Sequence, residues 1–164
     1  MNSVIKWIAL FFAAFVLQTT IVPAISIMGV KPDLLVLFLF MLAIKVGILP
    51  AIYIGFVIGL VQDLYSPSIL GQSALAKTVA GFFAGLFNEK VMRLDPLFQG
   101  VLLIFTFFVN DIVIFMVQFI KVEAHFTAIF PELFTYTLPR ALYTLLFAIA
   151  PLLWEQFSVV KSRR

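Results

Sequence analysis

The feature that most constrains this chain is the near absence of charge along runs as long as a bilayer is thick. Between Leu34 and Gln62 the only charged residue is Lys45. A transmembrane helix needs about 20 apolar residues, so a run of this kind suits hydrocarbon and not water. The whole 164-residue chain follows the same pattern. It is 63% hydrophobic and 12% charged, where soluble domains run near about 45–50% and about 25%. Mean hydropathy is +1.15. A soluble globule, a disordered tail and a nucleic-acid-binding module are excluded by these values. A β-barrel is excluded because the apolar stretches are continuous and do not alternate with period two.

What remains is an all-α integral membrane protein, read as a six-transmembrane-helix bundle in a single domain, residues 1–164. Six spans use roughly 120 residues and leave only short tails and connections. The spans fall at about 4–22, 33–46, 49–64, 72–87, 97–120 and 136–157. The first exceeds the roughly 7–15-residue core of a secretory signal, so it reads as a span although Ala24 and Ser26 loosely fit a cleavage site. Gly47 and Pro50 divide the long central run into two short helices joined by a tight turn.

Orientation follows from Lys and Arg, which collect on cytoplasmic flanks. With the amino terminus inside, the inner side holds Lys6, Lys45, Lys90, Arg93, Lys161, Arg163 and Arg164, and the outer side only Lys31 and Lys121. Both termini are therefore expected in the cytoplasm.

Three groups of residues stand out. Gly55 and Gly59 on the third helix, and Gly81 and Gly85 on the fourth, are four apart, a spacing that lets backbones approach in lipid. They read as packing the third helix on the fourth, with self-association into a homodimer as the sharper alternative. Charges within spans form the second group, because burial at mid-helix costs about 2.5–3.5 kcal/mol on insertion scales. Depth along the helices suggests a Lys77–Asp111 pair with Asn110 nearby. Arg140 competes for Asp111, and Asp63 is a second partner for Lys77. The alternative is that these charges line a proton or solute path.

The third group is the outer connection, where Val122, Phe126, Ile129, Phe130, Leu133 and Phe134 fall on one helical face. That face suits either the membrane surface lipid or a docked partner. On the inner side the charged loop from Asn88 to Pro96 is the corresponding candidate. No catalytic constellation is apparent. There are no cysteines and one histidine, His125, so thiolate and multi-histidine metal sites are excluded and no cofactor is expected.

The stretch from Lys31 to Gly85 resembles the rod shape-determining MreD family. The residues that carry the resemblance are Lys31-Pro32-Asp33-Leu34, Gly55-Phe56, Gly59-Leu60, Asp63-Leu64, Ser68, Leu70-Gly71, Ala74-Leu75 and Gly81; Pro139-Arg140 and Pro151 look similar as well. Pro32, Asp33 and Gly71 serve as its motif positions. The resemblance implies a non-catalytic component of the elongation machinery that works with the bitopic protein MreC. It further implies a place in the bacterial inner membrane and support of peptidoglycan synthesis by the RodA glycosyltransferase and a penicillin-binding transpeptidase, coordinated with MreB. The implied fold is similar to the substrate-binding component of energy-coupling-factor transporters. A different class, a solute-binding subunit of such a transporter, is suggested by Ala9 and Ala13. They resemble the small-residue contact those subunits make with their membrane partner.

Overall fold

The computed structural model describes residues 2–26, 30–65, 70–87, 96–122, 131 and 133–148, without the side chains of 2–4, 96, 97, 121, 122, 133 and 134. Five helices come first: α1 (Asn2–Thr20), α2 (Leu34–Val46), α3 (Ile48–Tyr65), α4 (Gln72–Leu86) and α5 (Pro96–Val122). A π-helical turn, Leu133–Thr137, then leads into α6, residues 138–148. Pro139 comes just after the π turn, and its ring and missing N–H are incompatible with a regular i−4 bond to Thr135.

The bundle is arranged around α2. Ten of its thirteen residues are buried, and its two sides feed two apolar clusters. Val36, Phe40 and Ile44 pack with Leu103, Phe107, Ala141 and Ala148, which ties α2 to α5 and α6. Leu35, Leu39 and Leu42 pack with Ile58 and Ala80, against Trp7, Phe11 and Phe15 of α1. That second cluster joins α2 to α1, α3 and α4.

Length makes α2 a special case. Thirteen residues span about 20 Å at 1.5 Å each, whereas the hydrocarbon core is about 30 Å thick. A helix this short at the centre of a bundle needs its end groups satisfied by protein. Its carboxyl end is closed by Gly47, whose φ of 85° lets the chain reverse. The Gly47 N–H donates to Ala43 O at 3.0 Å, and the Gly47 carbonyl accepts from Ala51 N at 3.1 Å, so α3 starts at once. The amino end is closed by Asp33, described below.

The tightest seam is α3 on α4. All four spaced glycines lie in it. A Cβ on Gly55 would strike the Lys77 carbonyl, and one on Gly59 the Ser73 carbonyl and the Ala74 Cα. A Cβ on Gly81 would sit 2.6 Å from Ala51 O, and one on Gly85 2.8 Å from the Ile48 Cα. Backbones therefore touch where side chains are missing, which maximises dispersion contact without any hydrophobic drive. Because α3 and α4 occupy these glycines within one chain, self-association through them has no free surface to use.

Outside, the bundle is greasy. Ile120 is 79% exposed, Tyr53 71%, Leu49 70% and Leu146 64%. Apolar exposure on this scale, spread over α1, α3, α5 and α6, suits a hydrocarbon solvent. By length and composition α3 and the Phe98–Ile120 part of α5 are each able to cross a membrane; the apolar stretches Ile5–Thr20 and Leu34–Val46 are shorter.

Candidate functional site

Residues 32–34 build the site. Pro32 is buried just before the helix, and Asp33 caps α2 from an extended conformation. One carboxylate oxygen, Oδ1, accepts the N–H groups of Leu35 at 3.1 Å and Val36 at 3.0 Å. These are two of the donors that every helix start leaves without an internal partner. The other oxygen, Oδ2, accepts from Arg140 Nη2 at 2.7 Å and lies 3.8 Å from Lys77 Nζ. Asp33 and Lys77 are both fully buried.

The backbone around Asp33 is held as firmly as its side chain. Its own N–H donates to Thr144 Oγ1 at 3.0 Å, and that hydroxyl donates to Arg140 O at 2.8 Å. From α1, Gln18 donates to Pro32 O at 3.2 Å and accepts from Leu34 N at 2.8 Å. Arg140 then extends the junction to α5: its Nη1 reaches Asp111 Oδ1 at 3.4 Å, and Asn110 Nδ2 donates to the same oxygen at 2.9 Å. One short segment thus gathers α1, α4 and α6 directly, and α5 through Arg140.

Charge balance explains why this junction survives burial. Two carboxylates, Asp33 and Asp111, face two cations, Lys77 and Arg140, and the sum is zero. Buried ions cost several kcal/mol each unless paired and hydrogen-bonded, and removing one partner typically costs about 3–5 kcal/mol.

Asp63 has a different task. It sits near the end of α3, and its carboxylate accepts N–H groups from Gly71 (2.9 Å), Ser73 (2.9 Å) and Ala74 (3.0 Å). It therefore caps α4 from the preceding helix, across the connection. Gly71 itself has φ 95°, a left-handed turn that glycine adopts without strain. Gln72 adds a link from α4 to α5 by donating to Ile114 O at 3.2 Å.

Two sequence expectations change here. In place of the pair expected between Lys77 and Asp111, Lys77 faces Asp33, and Arg140, the expected competitor for Asp111, bridges Asp111 and Asp33. Depth arguments compared residues within spans and left Asp33 in a loop, although the shortness of α2 brings that loop into the bundle. Asp63, expected as a partner for Lys77, spends its carboxylate on backbone N–H groups because the start of α4 lies next to it. Gln18 and Thr144 were not singled out as members of the junction. The one signal available was Pro-Asp directly before an apolar run, a helix-start pattern that marks Asp33 as a cap.

Of the expected partner face, Phe126, Ile129 and Phe130 lie outside the described residues, as do the side chains of Val122, Leu133 and Phe134. The 88–95 loop lies outside them too. Among the described residues no three His, Cys, Asp or Glu side chains come together to hold a metal.

Compared with known protein families, residues 1–157 match the model described as rod shape-determining protein MreD. Neither a curated protein nor a solved structure matches the chain.

Proposed function

Since the chain belongs to the MreD family, a bacterial membrane family with a role in cell-shape determination, we propose that it acts by holding an MreC-like bitopic protein in the rod shape complex. The observation that carries this reading is the distribution of polar groups. They are turned inward into a neutral junction and helix caps, while the outer surface presents apolar side chains such as Tyr53 and Leu49. A chain built this way acts through lipid-embedded faces and short connections. Its partner then supplies a membrane helix or a segment beside one.

In this reading six spans cross the inner membrane with both termini in the cytoplasm. The face formed by Val122, Phe126, Ile129, Phe130, Leu133 and Phe134 is the outer docking candidate, and 88–96 the inner one. RodA, a penicillin-binding transpeptidase and MreB lie further out in the same assembly, reached through the bitopic partner. The charge junction serves rigidity: it fixes the helices whose outer faces do the holding. The test is co-purification. An affinity-tagged chain extracted in mild detergent should bring down a bitopic membrane protein in comparable amount. Recovery of the chain alone, after cross-linking in intact membranes, would count against the proposal.

A second reading has one observation in its favour. Ala9 and Ala13 lie exposed on α1, a small-residue stripe of the kind through which membrane helices approach each other. It suits the solute-binding subunit of an energy-coupling-factor-type transporter, with the corresponding fold. The same co-purification separates the two readings, because a transporter subunit would bring down a multi-pass partner and not a bitopic one.

A further inference from the structure

Beside the charge junction lies a cleft of about 540 Å³, bounded by the segment before α2, the second half of α5 and the start of α6. Its lining includes Lys31, Asp111, Phe115, Gln118, Tyr136 and Arg140. The size falls within the about 300–1,000 Å³ of ligand sites in general.

Among the described residues the charges on its wall are not balanced. Asp33, Asp111, Lys77 and Arg140 sum to zero, so Lys31, exposed at the rim, leaves the cleft with an excess positive charge. Asp111 is already engaged by Arg140 at 3.4 Å and by Asn110 at 2.9 Å. Arg140 has donor capacity to spare: its Nη1 contact is long, and its buried Nε has no hydrogen-bond partner among the described residues. Gln118 and the Tyr136 hydroxyl add neutral hydrogen-bonding groups, and Phe115 an apolar wall. A guanidinium fork, an ammonium and neutral donors lining one cleft match a tetrahedral oxyanion with several acceptor oxygens.

We propose that this cleft binds a phosphate group, carried either as a phospholipid headgroup or as the free ion. The argument uses only the cleft and its lining, so it stands apart from the identity of any protein partner. The apolar wall beside the two cations accommodates the glycerol end of a lipid, and the same cations would hold inorganic phosphate.

The experiment uses the purified full chain in detergent and reads its thermal midpoint and binding isotherm. Four additions are compared: dioctanoyl phosphatidylglycerol, dioctanoylglycerol, inorganic phosphate, and chloride at matched ionic strength. Stabilisation by the phosphatidylglycerol and not by dioctanoylglycerol identifies a headgroup site; stabilisation by phosphate and not by chloride identifies a free-ion site. In either case Lys31→Gln, at an exposed position, should weaken binding by about tenfold or more, the loss of one charge-assisted contact. Gln118→Trp, also at an exposed position, should fill the cleft and abolish the response without touching the junction. Absence of any phosphate-dependent stabilisation overturns the proposal, as does unchanged binding in both variants.

Discussion

Helix α4 makes two contacts that could hardly differ more, and they meet at one residue. Toward α3 it offers Gly81 and Gly85 and receives Gly55 and Gly59, and the seam is backbone on backbone. Toward α2 it sends the Lys77 side chain, fully buried, to within 3.8 Å of Asp33. The Lys77 carbonyl lies where a Cβ on Gly55 would have to go, so one residue belongs to both contacts. The first contact depends on shape alone and tolerates no added atom. The second depends on charge and tolerates changes of shape as long as the charges stay matched. A bundle in lipid, with no hydrophobic drive between its helices, uses the one for closeness and the other for choosing which helices meet.

The sharpest way to break the glycine seam is Gly59→Leu. A side chain there must displace the Ser73 and Ala74 backbone, so the loss should reach at least about 3 kcal/mol, the upper range for overpacking. The readout is the yield of monodisperse protein and its thermal midpoint. A variant that folds like the parent would remove the seam from the account. Slightly smaller or comparable is the effect expected of Asp33→Ala, which strips α2 of its cap and leaves Arg140 and Lys77 short of a carboxylate. About 3–5 kcal/mol is the usual cost of orphaning a buried ion. Denaturation in detergent should show it, with Asp33→Asn milder by only about 1 kcal/mol, the cap that an amide oxygen keeps, since it orphans the same two cations.

A pair of double-mutant cycles then sharpens the comparison on the charge side. Asp33→Asn with Arg140→Gln should show a coupling of about 1–3 kcal/mol, as residues in one hydrogen-bonded network do. Lys77→Met with Asp111→Asn should couple more weakly, by about 0.5 kcal/mol, since these two meet only through Asp33 and Arg140. Reversed outcomes would restore the Lys77–Asp111 pairing that the sequence suggests. The smallest effect belongs to Gly71→Ala. Nothing lies within 4 Å of a Cβ there, so only the left-handed φ of 95° resists it, at a cost of about 1 kcal/mol. A loss as large as that of Gly59→Leu would mean that space, and not conformation, is limiting at Gly71.

The two contacts were unequally legible in the sequence. The glycine seam is written locally, since glycines four apart fall on one face of a helix and consecutive helices tend to pack. The boundary between α2 and α3 is likewise local, marked by Gly47 and Pro50. The junction is not local: Asp33 and Arg140 are 107 residues apart. A sequence with two such cations, Lys77 and Arg140, and three carboxylates, Asp33, Asp63 and Asp111, admits several pairings. Geometry selects among them through the length of α2, which decides that Asp33 is buried and therefore must be paired. Gln18 and Thr144 were invisible for the same reason, being polar residues on helices whose facing partner no pattern names. Asp63 was visible as a buried charge but not as a cap, because the helix it caps is not its own.

Both contacts serve one claim, that this chain is a rigid lipid-embedded body that works by holding another membrane protein. The most direct measurement places a photo-cross-linking residue at position 126, on the face proposed for docking, and irradiates intact cells. The account predicts one discrete adduct, with the mass of this chain plus a bitopic protein, lost when that partner is deleted. Adducts with lipid alone, in cells that contain the partner, would contradict it.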